Sequence, residues 1–138
     1  MTTVFVDTSA LLALLNPADE HHGRASRAFE GLRTQRAALI TTSYVLVETY
    51  ALVGRRLGLE AVRSFRAHFA PLLDVVWVDD TLHNAGLDIL DERRKRQLSL
   101  VDAVSFATMR QSGINDVFVF DQHFDQEGFE PVSCAMSL

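Results

Sequence analysis

Short apolar runs alternate along the chain with longer stretches in which apolar residues recur at helical spacing. The short runs are rich in β-branched and aromatic residues, a composition typical of strands that are covered on both faces. Five strands are predicted, at residues 3–6, 38–41, 75–78, 116–120 and 129–132. Trp77 falls inside the third run, which predicts a side chain in the hydrophobic core.

The longer stretches predict six helices, at residues 8–15, 18–35, 43–57, 59–70, 80–96 and 99–111. Thr42, Asp79 and Ser99 are favourable N-terminal caps, while Gly58 and Gly113 are favourable helix ends. Strands that are separated by helices pair in parallel through right-handed crossovers. We therefore expect an α/β fold, a three-layer α/β/α sandwich with a central, mainly parallel sheet, in a single domain over residues 1–138.

Four acidic residues interrupt or end these apolar stretches: Asp7, Glu48, Asp102 and Asp121. A buried carboxylate without a partner is costly and tends to take up a proton, so four of them suggest one shared cation. Mg²⁺ prefers oxygen ligands and binds a few carboxylates together with substrate phosphate. Asp7 and Asp121 follow predicted strands, and ligands of such sheets bind beyond the carboxyl ends of the strands. The four acids therefore predict a metal-dependent phosphodiesterase.

Each acid also has a purely structural interpretation. Asp7 could cap the helix that follows it, and Asp102 completes a capping-box pattern with Ser99. Asp121 could be a turn residue after a strand. Glu48 could lie on a solvated helix face, although it has apolar neighbours on both sides in sequence and no cap or turn explains it.

Composition narrows the functional class. The chain has 138 residues, of which 48% are hydrophobic, and a net charge of −5, so it is expected to be a globular protein that does not coat nucleic acid nonspecifically. A nuclease is compatible with this charge because a bound metal cancels active-site acids locally. No apolar run approaches about 20 residues and no basic leader precedes the first strand, so we expect a cytoplasmic protein without a membrane partner. Cys134 is the only cysteine, which excludes an intramolecular disulfide and a cysteine-based zinc motif.

Some polar residues outside the quartet have two interpretations. His21 and His22 are expected to be solvated on a polar helix. His123 lies near Asp121 in sequence and could contact substrate, but a surface position is favoured. The basic run at residues 93–96 is either a solvated helix end that matches the helix dipole or a set of RNA phosphate contacts.

Four segments resemble, in order and spacing, the motifs of PIN-domain nucleases. They are Val4-Phe5-Val6-Asp7-Thr8-Ser9-Ala10-Leu11, Ser43 followed by Glu48, Leu98-Ser99-Leu100-Val101-Asp102-Ala103, and Phe118-Val119-Phe120-Asp121-Gln122-His123-Phe124 with Gly128-Phe129 after it. The resemblance spans nearly the whole chain, whose length is similar to that of the VapC toxins of VapBC toxin–antitoxin pairs.

The resemblance implies an endoribonuclease that depends on Mg²⁺ or Mn²⁺, with Asp7, Glu48, Asp102 and Asp121 as its metal-site acids. Asp125 is an alternative for the fourth acid. Thr8 or Ser9 would hold a metal-bound water or orient Asp7. The sequence departs from the family at Val119, where a hydroxyl residue is common, so no hydroxyl-assisted role is expected there.

The same resemblance implies an RNA substrate, a cognate antitoxin that neutralises the enzyme, and a homodimer. A housekeeping PIN-domain nuclease without an antitoxin is an alternative. A haloacid-dehalogenase-like phosphatase fits poorly, because Ser9 stands where that class has its second aspartate. A non-enzymatic module of receiver-like fold would leave Glu48 unexplained.

Overall fold

The computed structural model describes residues 2–132 and contains a five-stranded parallel sheet with the order β3-β2-β1-β4-β5. The strands are β1 (Thr3–Val6), β2 (Ala38–Thr42), β3 (Asp74–Val76), β4 (Asp116–Phe118) and β5 (Glu130–Pro131). All five predicted strands are present, and every strand pair is parallel. The predicted α/β architecture is therefore confirmed.

Seven α-helices and one short 3₁₀ helix (Ala70–Leu72) connect the strands within the described residues. The α-helices are α1 (Thr8–Leu15), α2 (His22–Thr34), α3 (Ser43–Leu57), α4 (Leu59–His68), α5 (Asp80–Arg93), α6 (Leu100–Ser112) and α7 (His123–Gln126). Helix α2 begins later than predicted, because Asn16 and Asp19 accept backbone N–H bonds from Ala18 and His21 and so hold turns instead. Four-residue α7 was not predicted.

The order of the strands creates a crevice between β1 and β4. The chain runs from β1 outward to β2 and β3 and then crosses back to β4 on the other side of β1. Right-handed crossovers place the helices before β3 on one face of the sheet and α5 and α6 on the other. The carboxyl ends of β1 and β4 therefore flank the topological switch point, where α/β proteins bind ligands. The backbone N–H of Asp7 donates to the carbonyl of Phe118 over 3.1 Å, so the two strands end side by side.

Aromatic side chains fill the core beneath this crevice. Phe5, Phe106 and Phe118 are fully buried, and Phe124 of α7 packs edge-on against Phe106 with ring centroids 4.9 Å apart. This contact fixes α7 against α6, and a second one, between the rings of Phe124 and Phe5 of β1 with centroids 6.3 Å apart, holds α7 against the sheet. The prediction that Trp77 belongs to the core is wrong, since its side chain is 74% exposed. The reason is that β3 is the edge strand and ends at Val76, one residue before the tryptophan.

Two other expectations concern the chain as a whole. Among the helices that the structure describes, none is long and apolar enough to cross a lipid bilayer. Cys134 lies outside the described residues.

Candidate active site

A cavity of about 290 Å³ opens at the switch point and contains all four predicted acids. We call it the acidic cavity, and it is lined by Asp7, Thr8, Ser9, Leu12, Glu48, Leu52, Ser99, Asp102 and Asp121. Elements far apart in sequence supply the acids: the ends of β1 and β4, the middle of α3 and the first turn of α6. Asp125 is exposed on α7 and is not part of this lining.

Asp7 is both a helix cap and a buried member of the acidic cavity. Its Oδ2 atom accepts hydrogen bonds from the backbone N–H of Ser9 (3.0 Å) and from the Ser9 hydroxyl (2.8 Å). Burial raises the pKa of this carboxyl to about 7, and the negative charge of Asp102 adds to that rise, which the Ser9 bonds partly oppose. The capping and metal-site interpretations are therefore compatible, because both cap bonds end on one carboxylate oxygen.

Ser9 connects the two strand ends that carry acids. Its hydroxyl donates to Asp7 and accepts a 2.9 Å hydrogen bond from the backbone N–H of Phe120. Phe120 directly precedes Asp121, so one side chain fixes the position of Asp7 relative to the segment that carries Asp121. This contact agrees with the expected orienting role of Ser9.

Thr8 fixes α3 rather than Asp7. Its hydroxyl donates to the carbonyl of Val45 (3.4 Å) and accepts from the hydroxyl of Thr49 (3.3 Å). Both partners lie in α3 and flank Glu48 in sequence. Thr8 therefore holds the helix that brings Glu48 to the cavity.

Asp102 forms the predicted capping box with Ser99. The Ser99 hydroxyl accepts from the backbone N–H of Asp102 (3.1 Å), and the carboxylate of Asp102 accepts from the backbone N–H of Ser99 (3.3 Å). Burial raises the pKa of the Asp102 carboxyl, the Ser99 backbone bond opposes the rise, and the nearby Asp121 carboxylate adds to it. The cap thus holds in place a carboxyl group whose charged form is poorly hydrated because it is buried.

Glu48 and Asp121 are less enclosed than their apolar neighbours in sequence suggested. Both side chains are half-buried, and the next residue before Glu48, Val47, is 67% exposed. Glu48 lies on the part of α3 that opens into the acidic cavity. The carboxylate of Asp121 accepts the backbone N–H of His123 over 2.6 Å, so the predicted turn also exists. The expectation of four acids buried in apolar surroundings is correct only for Asp7 and Asp102.

His123 is a residue of the site that sequence analysis placed at the surface. Its side chain is only 15% exposed. One of its ring nitrogens lies within 4.8 Å of carboxylate oxygens of both Asp102 and Asp121, while its Nδ1 is buried and forms no hydrogen bond within residues 2–132. The packing of α7 through Phe124 turns the histidine inward. Its position two residues after Asp121 was the only signal in the sequence.

Three further expectations about polar residues are corrected. The ring of His21 stacks on Phe120 with centroids 4.6 Å apart, and Nδ1 of His22 lies 2.7 Å from the carbonyl of Ala13, so neither histidine is simply solvated. Both sit where α2 folds back over α1. Arg93 is not a solvated helix end, because its guanidinium binds both carboxylate oxygens of Glu127, at 2.8 and 3.0 Å.

The donor set of the acidic cavity suits a hard divalent cation. Four carboxylates and one neighbouring imidazole offer mostly oxygen ligands, which Mg²⁺ and Mn²⁺ prefer. The pKa values of Asp7 and Asp102 are raised by burial and by the neighbouring carboxylates, and the charge of His123, which lowers that of Asp102, is the weakest of its causes. A cation between the acids would balance their negative charge.

Comparison with known proteins identifies the family. The model of the PIN domain matches residues 4–130. The 23S rRNA-specific endonuclease VapC20 of Mycobacterium tuberculosis, known from two strains, is 35% identical over 130 residues, which cover 94% of this chain and 97% of VapC20.

Solved structures agree with this relationship. The crystal structure of M. tuberculosis VapC20, described as a toxin that cleaves the sarcin–ricin loop, superposes with a TM-score of 0.81 and covers 91% of this chain and 95% of that one. DNA-bound VapBC from Salmonella typhimurium (TM-score 0.68, 16% identity, covering 95% and 97%) and FitAcB from Neisseria gonorrhoeae (0.66, 14%, covering 93% and 94%) share the fold. The chain therefore belongs to the PIN-domain family and, within it, to the VapC endoribonuclease toxins of toxin–antitoxin pairs.

Proposed function

We propose that this ribonuclease requires a divalent cation, Mg²⁺ or Mn²⁺, held by Asp7, Glu48, Asp102 and Asp121. The observation that carries the proposal is the convergence of these four carboxylates, from four separate elements, on one cavity. Asp121 is preferred to Asp125 as the fourth acid because it lines this cavity, whereas Asp125 is exposed. When bound, the cation would activate water and stabilise negative charge that develops on the phosphoryl oxygens.

The side chains around the acids would keep them in fixed positions. Ser9 holds one oxygen of Asp7, and the capping box holds Asp102 at the start of α6. Thr8 bonds to α3 on both sides of Glu48. Because these bonds exist before substrate arrives, little reorganisation is needed to form the site. Without a cation, the negative charge of the cavity would repel an RNA phosphate.

The substrate and partners are inferred from the relatives. VapC20 is a 23S rRNA-specific endonuclease that cleaves the sarcin–ricin loop, and we infer that the present chain cuts an RNA loop of the same class in the cytoplasm. We further infer a cognate antitoxin, which favours the toxin over a housekeeping nuclease, and a homodimer. Val47 is exposed and lines a mostly apolar cavity together with Tyr44, Glu48 and Val101, which supports a protein contact on this side of α3.

The test is cleavage of a synthetic hairpin RNA that carries the sarcin–ricin loop sequence, followed on a denaturing gel. Purified protein should produce one main cut with Mn²⁺ or Mg²⁺, and EDTA should abolish it. A hairpin with the same stem and a scrambled loop is the matched control and should be cut far more slowly. Equal cleavage in EDTA would refute the metal requirement, and equal cleavage of both hairpins would refute the assignment of the substrate.

A further inference from the structure

A second cavity, of about 270 Å³, lies beside the acidic cavity and has a different chemical character. We call it the basic pocket, and it is lined by Lys95, Arg96, Gln97, Gln122, His123 and Gln126. Two short segments join the cavities, one running from Gln97 to Ser99 and the other from Asp121 to His123. A ligand that enters the basic pocket is therefore adjacent to the four acids.

The polar groups of the basic pocket are not used by the fold. Lys95 and Arg96 are exposed, and within residues 2–132 neither side chain forms an ion pair. The side-chain amides of the three glutamines likewise make no hydrogen bond to another described residue. By contrast, neighbouring Arg93 is held by Glu127. Two cations and three amides thus face a pocket in a chain whose net charge is −5.

Charged contacts fix the walls of the basic pocket. Glu127, at the end of α7, binds Arg93 at the end of α5 and also Arg110 of α6, whose Nη2 atom lies 2.7 Å from the Glu127 carboxylate. These pairs hold the pKa of the Glu127 carboxyl at about 2, well below its usual range. The segment that carries the two cations is anchored by Arg93 on one side and by the capping box of Ser99 on the other. The pocket is therefore largely formed before a ligand binds, which lowers the entropic cost of binding.

The lining is suited to a single nucleotide. Lysine and arginine bind phosphate, and glutamine amides can donate to and accept from the edge of a base. The volume lies near the lower limit of small-molecule sites, about 300 Å³, which excludes a duplex. Sequence-specific RNA recognition mostly uses unpaired bases that turn out of their stack.

We propose that the basic pocket binds one unpaired nucleotide of the RNA, next to the phosphodiester that is cut. The two cations hold its phosphate, and the three glutamines contact its base. This inference rests on the proposed ribonuclease site and adds a determinant of substrate choice to it. It also explains how RNA approaches an acidic centre, since the phosphate beside the cut is balanced by positive charge.

The first experiment measures binding as a function of salt. Fluorescein-labelled sarcin–ricin hairpin RNA is titrated with Asp102→Asn protein, which is expected to bind without cutting. Adding Lys95→Gln and Arg96→Gln should weaken binding about tenfold. It should also reduce the slope of log binding constant against log salt concentration by about 0.7, the value for one lost single-strand phosphate contact. The matched control adds Arg33→Gln and Arg36→Gln instead, because these exposed arginines precede β2 at the amino end of the sheet, whereas the acidic cavity lies at the carboxyl ends of the strands. An equal slope in both double variants would overturn the phosphate contact.

The second experiment locates the base. Each loop nucleotide of the hairpin is replaced in turn by an abasic one, and single-turnover cleavage is measured with wild type and with Gln126→Ala protein, which carries a change at an exposed residue. With wild type, an abasic nucleotide at one position beside the cut should slow cleavage about tenfold, and this effect should be smaller with Gln126→Ala, which removes one of the three glutamine contacts. If Gln126→Ala and Gln122→Ala leave every abasic effect unchanged, the base contact is refuted. Retained cleavage combined with weakened inhibition by the antitoxin would assign the pocket to the protein partner instead.

These outcomes are distinguishable from failure of the proposed function. If wild type does not cut the hairpin with any divalent cation, the proposed substrate and metal requirement fail, while the dependence of binding on salt still reports whether the pocket binds phosphate. If wild type cuts and the pocket variants bind and cut equally well, only the present inference fails.

Discussion

Asp7 is the buried acid whose negative charge the metal-free fold tolerates least, and Asp7→Asn should therefore stabilise that form. Its pKa rises from 3.8 to about 7 in the folded protein, mainly through burial. The folded state then binds more protons than the unfolded state between these two values, so stability falls as pH rises from about 4 to about 7. At about 1.4 kcal/mol per pKa unit, the full penalty above pH 7 is on the order of 4 kcal/mol.

The asparagine keeps most of what Asp7 does for the fold. Asparagine is as good an N-cap as aspartate, and its carbonyl oxygen can accept the same two bonds from Ser9. In EDTA, Asp7→Asn should raise the free energy of unfolding by up to about 4 kcal/mol at about pH 8 and by little at about pH 4. Asp102, whose pKa burial also raises, should leave a weaker dependence of the same sign in the variant.

Urea unfolding at a series of pH values measures both effects directly. Asp125→Asn is the matched control, since it changes an exposed acid that lies outside the acidic cavity and should leave the pH profile unchanged. The reasoning is refuted if metal-free wild type is as stable at about pH 8 as at about pH 5 and Asp7→Asn gives no gain.

Three further predictions concern the surroundings of the acids. Mn²⁺ at a hundred times its Kd should stabilise wild type by about 2.7 kcal/mol and so raise its melting temperature. An equal rise for Asp7→Asn would argue against Asp7 as a ligand. Ser9→Ala should lower the unfolding free energy by about 1 kcal/mol and slow cleavage about tenfold. Ser9→Thr keeps the hydroxyl and should retain the stability and the cleavage rate of wild type. Unchanged kinetics in the alanine variant would refute the positioning role. Glu127→Gln should destabilise by about 1 kcal/mol at neutral pH, because its partners Arg93 and Arg110 are themselves partly exposed and solvent screens the pairs from their side. Because the pKa of Glu127 is lowered to about 2, this contribution to stability is present above about pH 4.5 and is lost as pH falls toward 2. If the stability of Glu127→Gln falls between about pH 4.5 and 2 as steeply as that of wild type, the prediction is contradicted.

The parts of the fold that depend on local chemistry were predictable from the sequence. Apolar runs gave the strands, and capping residues such as Thr42, Asp79 and Ser99 bond to the backbone as expected. The order of the parallel strands was not predictable in detail, because an apolar run does not specify the strand with which it pairs. The pairing of β1 with β4 brings Asp7 and Asp121 to the same cavity.

Features that depend on packing between distant segments were missed. The apolar run around Trp77 predicts a core position, because such a run does not reveal that the strand ends one residue earlier at the edge of the sheet. The sequence favours a surface position for His123, because the four-residue helix α7 is too short to show a helical period. The contact of Phe124 with Phe106 in the core turns the His123 ring inward. The sequence shows the cations of the basic pocket as a basic run, but it does not show that Gln122 and Gln126, from a different segment, line the same pocket.

Cleavage kinetics of four single variants test most directly whether the acidic cavity is the catalytic centre. The hairpin RNA is incubated with Mn²⁺ and Asp7→Asn, Glu48→Gln, Asp102→Asn or Asp121→Asn protein, with Asp125→Asn as control, after circular dichroism shows that each is folded. The account predicts that each of the four slows cleavage by about a hundredfold or more, as loss of a metal ligand does, while Asp125→Asn cuts at the wild-type rate. Wild-type rates for folded Asp7→Asn and Asp102→Asn, or a loss confined to Asp125→Asn, would contradict it.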